Sequence, residues 1–335
     1  MDDLFQVRTL TKAVNAIPAP NRRIYNRLFA GKDNPQKSDR MAFDVISGSE
    51  GILKTISVIE PATVDDKTDR KTITLKAPRL SNKRFIHVAE LNSIRGMGQM
   101  SVETMKRRIA IELKDMRNKH DRTLEFWAVG ALKGMIYDSD LSTVLVDYNV
   151  DGSFHPVLTG SLLWTDPTSN PITNLRAWKR QIEDSCGATV LEWVAFLGSQ
   201  VMDALLEHSG VLAYLITDKG SEIAENGRIT KLAEVELIEC NHGFKDESDV
   251  LHRFIDPDSF LLVGVCDDLV EVLVAPVVDD DAPFGVGNVS EKNRPQLFFS
   301  KSWKENDPSG RWIKCESRPL PVLRRPGGVI FATTV

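Results

Sequence analysis

The sequence predicts an α+β protein with extended pieces too long to be stable alone, and three observations carry that prediction. Residues 101–136, SVETMKRRIAIELKDMRNKHDRTLEFWAVGALKGMI, hold no proline and fit one helix of about ten turns, roughly 54 Å long. Residues 51–80 set two β-rich runs, ILKTISVIE and KTITLKAPRL, on either side of the polar ATVDDKTDR. Beyond residue 174, strand-like and helix-like segments alternate.

Taken in order, residues 1–45 mix one amphipathic piece, NRRIYNRLFAG, with Pro18, Pro20, Gly31 and Pro35, the pattern of an extended arm. Residues 51–80 then read as a long β-hairpin. A two-stranded ribbon is marginally stable by itself, so it folds over its own domain or lies on a neighbouring subunit. Its exposed tip is Val64, Asp65, Asp66, Lys67, Thr68, Asp69, Arg70 and Lys71.

The long helix opens with Ser101 as N-cap and Glu103 in the first turn. Val102, Met105, Ile109, Leu113, Met116, Leu124, Trp127, Ala131 and Met135 form one apolar stripe, interrupted at His120. Met105, Ile109, Leu113, Met116, Leu124 and Trp127 are its expected core face, with Arg and Lys residues, Arg117 among them, turned outward. Glu103 with Arg107 and Asp115 with Lys119 are favourable i,i+4 pairs. A single stripe crowded by Lys and Arg in its N-terminal half argues against a parallel coiled-coil dimer.

After Gly134, LSTVLVDYNVDGSFHPVL (141–158) suggests a second hairpin, and TDPTSNPIT (165–173) a linker at a domain boundary. A helix over 174–185, a buried strand in TVLEWVAFLG and a helix in SQVMDALLEH follow. KLAEVELIE (231–239) and SFLLVGV (259–265) are further strands, and DDDAPFGVGN (279–288) is an acidic, Gly-rich loop. The tail offers two or three strands separated by the turn Asp307-Pro308-Ser309-Gly310.

Composition excludes several classes. Hydrophobic residues make 42% and charged residues 27% of 335, the balance of a soluble globular chain, with no apolar run long enough to span a membrane. The acidic start MDDLF carries no secretory signal pattern, which implies a cytoplasmic protein. The net charge of −5 is uneven: residues 207–291 hold nineteen Asp or Glu against five Lys or Arg, while 292–335 hold nine basic against three acidic. The acidic block repels nucleic acid, and no basic, aromatic patch offers sequence readout.

Chemistry is nearly absent. Gly96-Met97-Gly98 lacks a leading strand and a third glycine, and Gly285-Val286-Gly287 precedes no clear helix, so neither is a dinucleotide or P-loop fingerprint. The six histidines show no HxxxH or HExxH spacing, and Asp279-Asp280-Asp281 lacks the ligand spacing of an EF-hand and reads as a solvated loop. Cys186, Cys240, Cys266 and Cys315 form no CxxC pair and read as packed thiols. No catalytic residue, cofactor site or metal site is expected.

Arm, hairpin, long helix and returning tail, in that order, resemble the major capsid proteins of tailed phages, the lambda-type capsid protein E family. The resemblance covers nearly the entire chain. It rests on NRRIYNRLF, SDRMAFDV, ISVIEP and TLKAPRL near the hairpin, and on MKRRIAIELKDMRNKHDRTLEFWAVGALKG in the helix. The tail adds an aromatic, basic stretch to Trp303, Asp307-Pro308, Arg311, Ser317, Pro319, Leu320 and Pro326. The acidic 279–281 loop and TDPTSNPIT depart from the family pattern.

The resemblance implies a Hong Kong 97-type fold: N-terminal arm (1–45), extended loop (46–96), peripheral domain with a spine helix (97–170), axial domain (171–291) and strands returning to the peripheral domain (292–335). It implies a non-enzymatic shell protein that forms pentamers and hexamers around packaged double-stranded DNA, touching the DNA weakly. A separate scaffolding protein, a portal protein and a small decoration protein are the implied partners. The virion is the implied location, with assembly in the host cytoplasm. An encapsulin-like cellular shell of the same fold, marked by a cargo enzyme, and a nucleotide-binding enzyme are the alternatives. Lys67 and Lys71 raise the covalent Lys–Asn crosslinking of one relative, but lysines are common at a solvated tip.

Overall fold

A computed structural model describes residues 6–18, 22–46, 70–87, 102–216, 227–246, 248–282 and 297–335. The first strand of the expected hairpin, its tip from Val64 to Asp69, the cap at Ser101 and both short glycine patterns lie outside the described residues. Helices are α1 (Val7–Ala16), α2 (Arg23–Leu28), α3 (Val102–Leu132), α4 (Pro171–Cys186), α5 (Ser199–Glu207) and α6 (Ser209–Ile216). Strands are β1 (Asp33–Pro35), β2 (Arg40–Ile46), β3 (Arg70–Lys76), β4 (Leu80–His87), β5 (Met135–Tyr137), β6 (Val144–Asp147), β7 (Glu192–Leu197), β8 (Lys231–Leu232) and β9 (Val235–Glu239). There follow β10 (Gly243–Lys245), β11 (Leu251–Arg253), β12 (Ser259–Val265), β13 (Val270–Val274), β14 (Phe299–Glu305), β15 (Gly310–Ser317), β16 (Pro319–Leu323) and β17 (Val329–Thr333).

The chain forms two units: Met1–Ala42, Thr74–Phe126 and Glu271–Val322 in the first, Phe43–Ile73, Trp127–Val270 and Leu323–Val335 in the second. In the first, β4, β15 and β14 make an antiparallel sheet, with Leu80–His87 paired along the whole of Gly310–Ser317. The Asp307–Gly310 turn joins β14 to β15 as expected. Gly310 is required there, because a Cβ would sit 2.2 Å from Phe85 Cζ. Ile86, Ile313 and Cys315 of this sheet are buried. A second sheet, ordered β1-β13-β16, begins with a parallel β1–β13 pair in which Asp33 faces Val272.

The segment expected to extend as an arm is folded. Leu10 and Val14 of α1, and Ile24, Tyr25, Leu28 and Phe29 in and beside α2, are buried. Thr11 Oγ1 donates to Ser300 O (3.1 Å) and accepts from Ser300 N (3.1 Å), which seats α1 on β14. Pro18 follows the end of α1 but does not keep it from docking, since apolar residues at helical spacing give α1 and α2 each a buried side.

The second unit is built on a five-stranded sheet, β17-β12-β7-β9-β8, antiparallel except for the β7–β9 pair. Its central strands, Val194–Leu197 and Ser259–Val263, are buried residue after residue, which explains why they read as unbroken apolar runs rather than alternating ones. Helix α4 starts at Pro171 with Asn170 capping Thr173 N (3.1 Å), and buries Leu175, Trp178 and Ile182. Trp178, Trp164 and Phe260 cluster with ring centroids 5.1–6.0 Å apart. Residues 165–173, expected as a linker, lie within this unit, where Trp164 N donates to Thr334 O (2.9 Å) and Asp166 caps Thr168 N (2.8 Å).

The long helix ends at Leu132, not at residue 136, because Gly134 takes a positive φ of 89° and the chain turns back. A Cβ on Gly130 would sit 2.8 Å from Met135 O, so a small residue is needed where the chain recrosses the helix. The hairpin expected over 141–158 is absent: Val144–Asp147 pairs with Met135–Tyr137 instead, and Gly152–Phe154 is a 3-10 turn capped by Asp151.

Candidate functional site

The long helix is the element around which the first unit is arranged, and its buried side is only partly apolar. Ile109, Leu113, Met116, Leu124 and Trp127 are buried, while the side chain of Met105 lies outside the described residues. Trp127 also donates from Nε1 to Tyr137 O (3.0 Å). Interleaved with them, Glu112, Arg117, His120, Asp121 and Glu125 are buried too. Arg117, expected to face outward, is 5% exposed.

Each buried charge is answered. Glu125 is fully buried and receives the backbone N–H of Ile24 on Oε1 and of Tyr25 on Oε2, both at 2.9 Å. It thus caps the start of α2 from a hundred residues away and satisfies donors that a helix start leaves open. Asp121 lies 3.3 Å from Arg117 Nε and 3.4 Å from Arg22. Arg117 also donates to Val14 O in α1 and stacks its guanidinium 4.0 Å from the centroid of Phe298. Glu112 takes Arg84 of β4 and, at 2.8 Å, Arg108.

Burial sets the titration behaviour of this face. It lowers the Arg117 pKa, opposed by Asp121, and raises that of Asp121, opposed by Arg22 and Arg117. Burial, with the Arg117 charge beside it, pushes His120 down to about 4, so the imidazole is neutral at pH 7. His120 bridges Ser317 Oγ (2.7 Å) and Asn82 Oδ1 (3.3 Å), joining the helix to β15 and β4. Tyr25 is pushed well up, first by burial and then by Asp33.

Of the expected loop-tip residues, Arg70 and Lys71 lie within the described chain, both exposed at the start of β3. β3 pairs with β2 in a two-stranded ribbon, and Thr72 Oγ1 donates to Asp44 Oδ1 (2.7 Å). β3 is exposed or half-buried along its length, while its partner β2 buries Met41, Phe43, Val45 and Ile46, so the ribbon is anchored through β2 alone.

In the loop read as solvated, Asp280 and Asp281 are exposed, but half-buried Asp279 is held between Lys301 (2.7 Å) and Lys314 (3.1 Å). Lys314 also meets Glu316 (2.6 Å), which Arg79 grips with two hydrogen bonds. These acids neutralise lysines and are committed as structural partners. Among the described residues no group of three or more His, Cys, Asp or Glu could hold a metal ion, and no helix is long and apolar enough to cross a membrane.

What sequence reasoning missed is the charged half of the helix's inner side. The signal was present, since Arg117, Asp121 and Glu125 recur at i+4 and therefore share a face beside the apolar stripe.

A family model described as phage major capsid protein E matches residues 6–334. Among solved structures, a protein assigned as a prophage capsid protein of E. coli CFT073 aligns with a TM-score of 0.66 and 16% identity, covering 98% of this chain and 99% of that one. A phage-related protein from Bordetella bronchiseptica RB50 gives 0.58 and 12%, covering 98% of each chain. The capsid of cyanophage P-SCSP1u gives 0.53 and 9%, covering 91% of this chain and 86% of that one. These likenesses establish a shared fold. No curated protein matches the chain.

Proposed function

Because the chain belongs to the phage major capsid protein E family, and is thus a major capsid shell protein of the virion with the phage capsid fold, we propose that it forms pentamers and hexamers that close into an icosahedral shell around double-stranded DNA. The family match over residues 6–334 carries this reading. The family is structural, and the buried charges of the long helix are paired within the subunit, as a rigid beam requires.

In this reading residues 1–45 form the N-terminal arm, docked through α1 and α2 rather than extended, 46–96 the extended loop, 97–170 the peripheral domain and 171–291 the axial domain, with 292–335 returning to the peripheral domain. The loop tip, Val64 to Lys71, reaches a neighbouring subunit. The exposure of Arg70 and Lys71 and the thin β2–β3 ribbon behind them support that role. Assembly in the host cytoplasm uses a separate scaffolding protein, a portal protein occupies one vertex, and a small decoration protein binds the finished shell.

Electron microscopy of the full chain, purified alone and after co-expression with a scaffolding protein, tests the proposal. Closed particles of uniform diameter are expected in at least one preparation. Sedimentation as monomers in both would refute it.

A further inference from the structure

Two of the four cysteines, far apart in sequence, meet inside the second unit. Cys186 ends α4 and Cys266 follows β12, and their Sγ atoms are 3.1 Å apart. A disulfide bond is about 2.05 Å, so closure asks for roughly 1 Å of relative movement. Both thiols are buried, at 1% and 2% exposure.

The surroundings suit reaction at Cys186. Arg325 donates to Cys186 O (3.1 Å) and Gly187 O (3.0 Å), which fixes a cation beside the thiol. The hydrogen bond with Cys266, assisted by Arg325 and opposed by burial, brings the Cys186 thiol down to about 7. Gly328 leaves the sulfur room: a Cβ there would stand 3.3 Å from Cys186 Sγ. Cys315 is the contrast, with burial pushing its thiol up to about 12.

We propose that Cys186 and Cys266 are an oxidisable dithiol that peroxide converts to a disulfide, tying the end of α4 to the end of β12. The Cys186 thiolate attacks one peroxide oxygen, the O–O bond breaks, and a sulfenic acid and hydroxide result. The Cys266 sulfur then attacks Cys186 Sγ, the S–S bond forms, the S–O bond breaks and water leaves. Overall two thiols give up two electrons and two protons, and hydrogen peroxide becomes two waters. The bond closes an 80-residue separation across the second unit, a long loop whose constraint favours the folded state. Its burial admits a small oxidant and excludes bulky thiol reductants.

The wild-type full chain is treated with millimolar hydrogen peroxide, quenched with catalase, denatured, alkylated and mapped by mass spectrometry. Two of the four thiols should resist alkylation. A Cys186–Cys266 linked peptide should appear about 2 Da lighter than the sum of its thiol forms, and disappear with dithiothreitol after unfolding. The oxidised protein should melt about 5–10 °C higher. Cys266→Ser should trap Cys186 as sulfenic or sulfinic acid. Four alkylated thiols, a sulfinic acid at Cys186 in the wild type with no crosslink, or a bond involving Cys240 or Cys315 would overturn the proposal. The wild-type peptide map decides even if Cys266→Ser does not fold.

Discussion

Replacing Arg117 by Ala separates an exposed charge from a structural one, and the structure sets the size of the effect. Breaking a buried ion pair from one side typically costs about 3–5 kcal/mol, because the remaining charge loses its partner. Asp121 would still have Arg22 at 3.4 Å, which places the loss near the lower end. The variant also gives up the hydrogen bond to Val14 O and the stacking on Phe298. A loss of about 3 kcal/mol follows, a large share of a total stability of about 5–15 kcal/mol.

Urea and thermal melts of unassembled subunits measure it. Arg117→Ala should lower the melting temperature by about 6–12 °C. Arg117→Met keeps an aliphatic stem over Phe298 and should recover part of the loss. Lys114, exposed on the same helix, is the control, and Lys114→Ala should change stability by less than about 0.5 kcal/mol. An Arg117→Ala variant as silent as Lys114→Ala would refute the buried network.

Trp127→Ala empties a fully packed indole site and removes its bond to Tyr137 O, costing about 3–5 kcal/mol in the same melts; a change below 1 kcal/mol, on the order of a surface effect, would contradict that packing. His120 titrates near 4 when folded against 6.5 ordinarily, so the unfolded chain binds the proton first as pH falls. Stability is full above about pH 6.5 and declines by roughly 3 kcal/mol towards pH 4; His120→Gln should flatten that slope, and an unchanged slope would count against the assignment. Deleting residues 62–71 should leave a folded, soluble subunit that no longer closes into shells, and normal particles from that variant would remove the loop from the intersubunit contacts. DNA titration at about 0.15 M salt should show weak, sequence-indifferent binding, given the acidic 207–291 stretch; tight, selective binding would contradict it.

Legibility followed the range of the interactions. The long helix was readable because its period repeats locally for eight turns or so, and the buried strands β7 and β12 because their apolar runs are continuous. The boundary at Leu132 escaped because Met135 and Ile136 continue the helical pattern, yet Gly134 turns them into a strand edge. The docking of α1 and α2 was invisible for a different reason. Their partners, Ser300 and Glu125, stand 289 and 100 or more positions away. The Cys186–Cys266 contact was hidden in the same way, since spacing rules find only ligands that are close in sequence.

Arg117 shows what a hydrophobic stripe leaves out. An apolar face alone tolerates a slip of one helical turn, about 5.4 Å, because Leu and Met pack adaptably against several neighbours. Directional bonds do not tolerate it. Glu125 must meet the Ile24 and Tyr25 amides, His120 must meet Ser317 and Asn82, and Arg117 must reach Val14 O, all from one helix at once. A shifted register would leave buried donors and charges unpaired at a cost of about 1–3 kcal/mol for each neutral group and more for each ion. The buried polar groups therefore hold α1, α2, β4 and β15 at one setting on the helix. A shell requires that of its subunit, because each copy presents its surfaces to neighbours whose positions are set by the same geometry, and an error of one turn in any copy would be carried into every contact it makes.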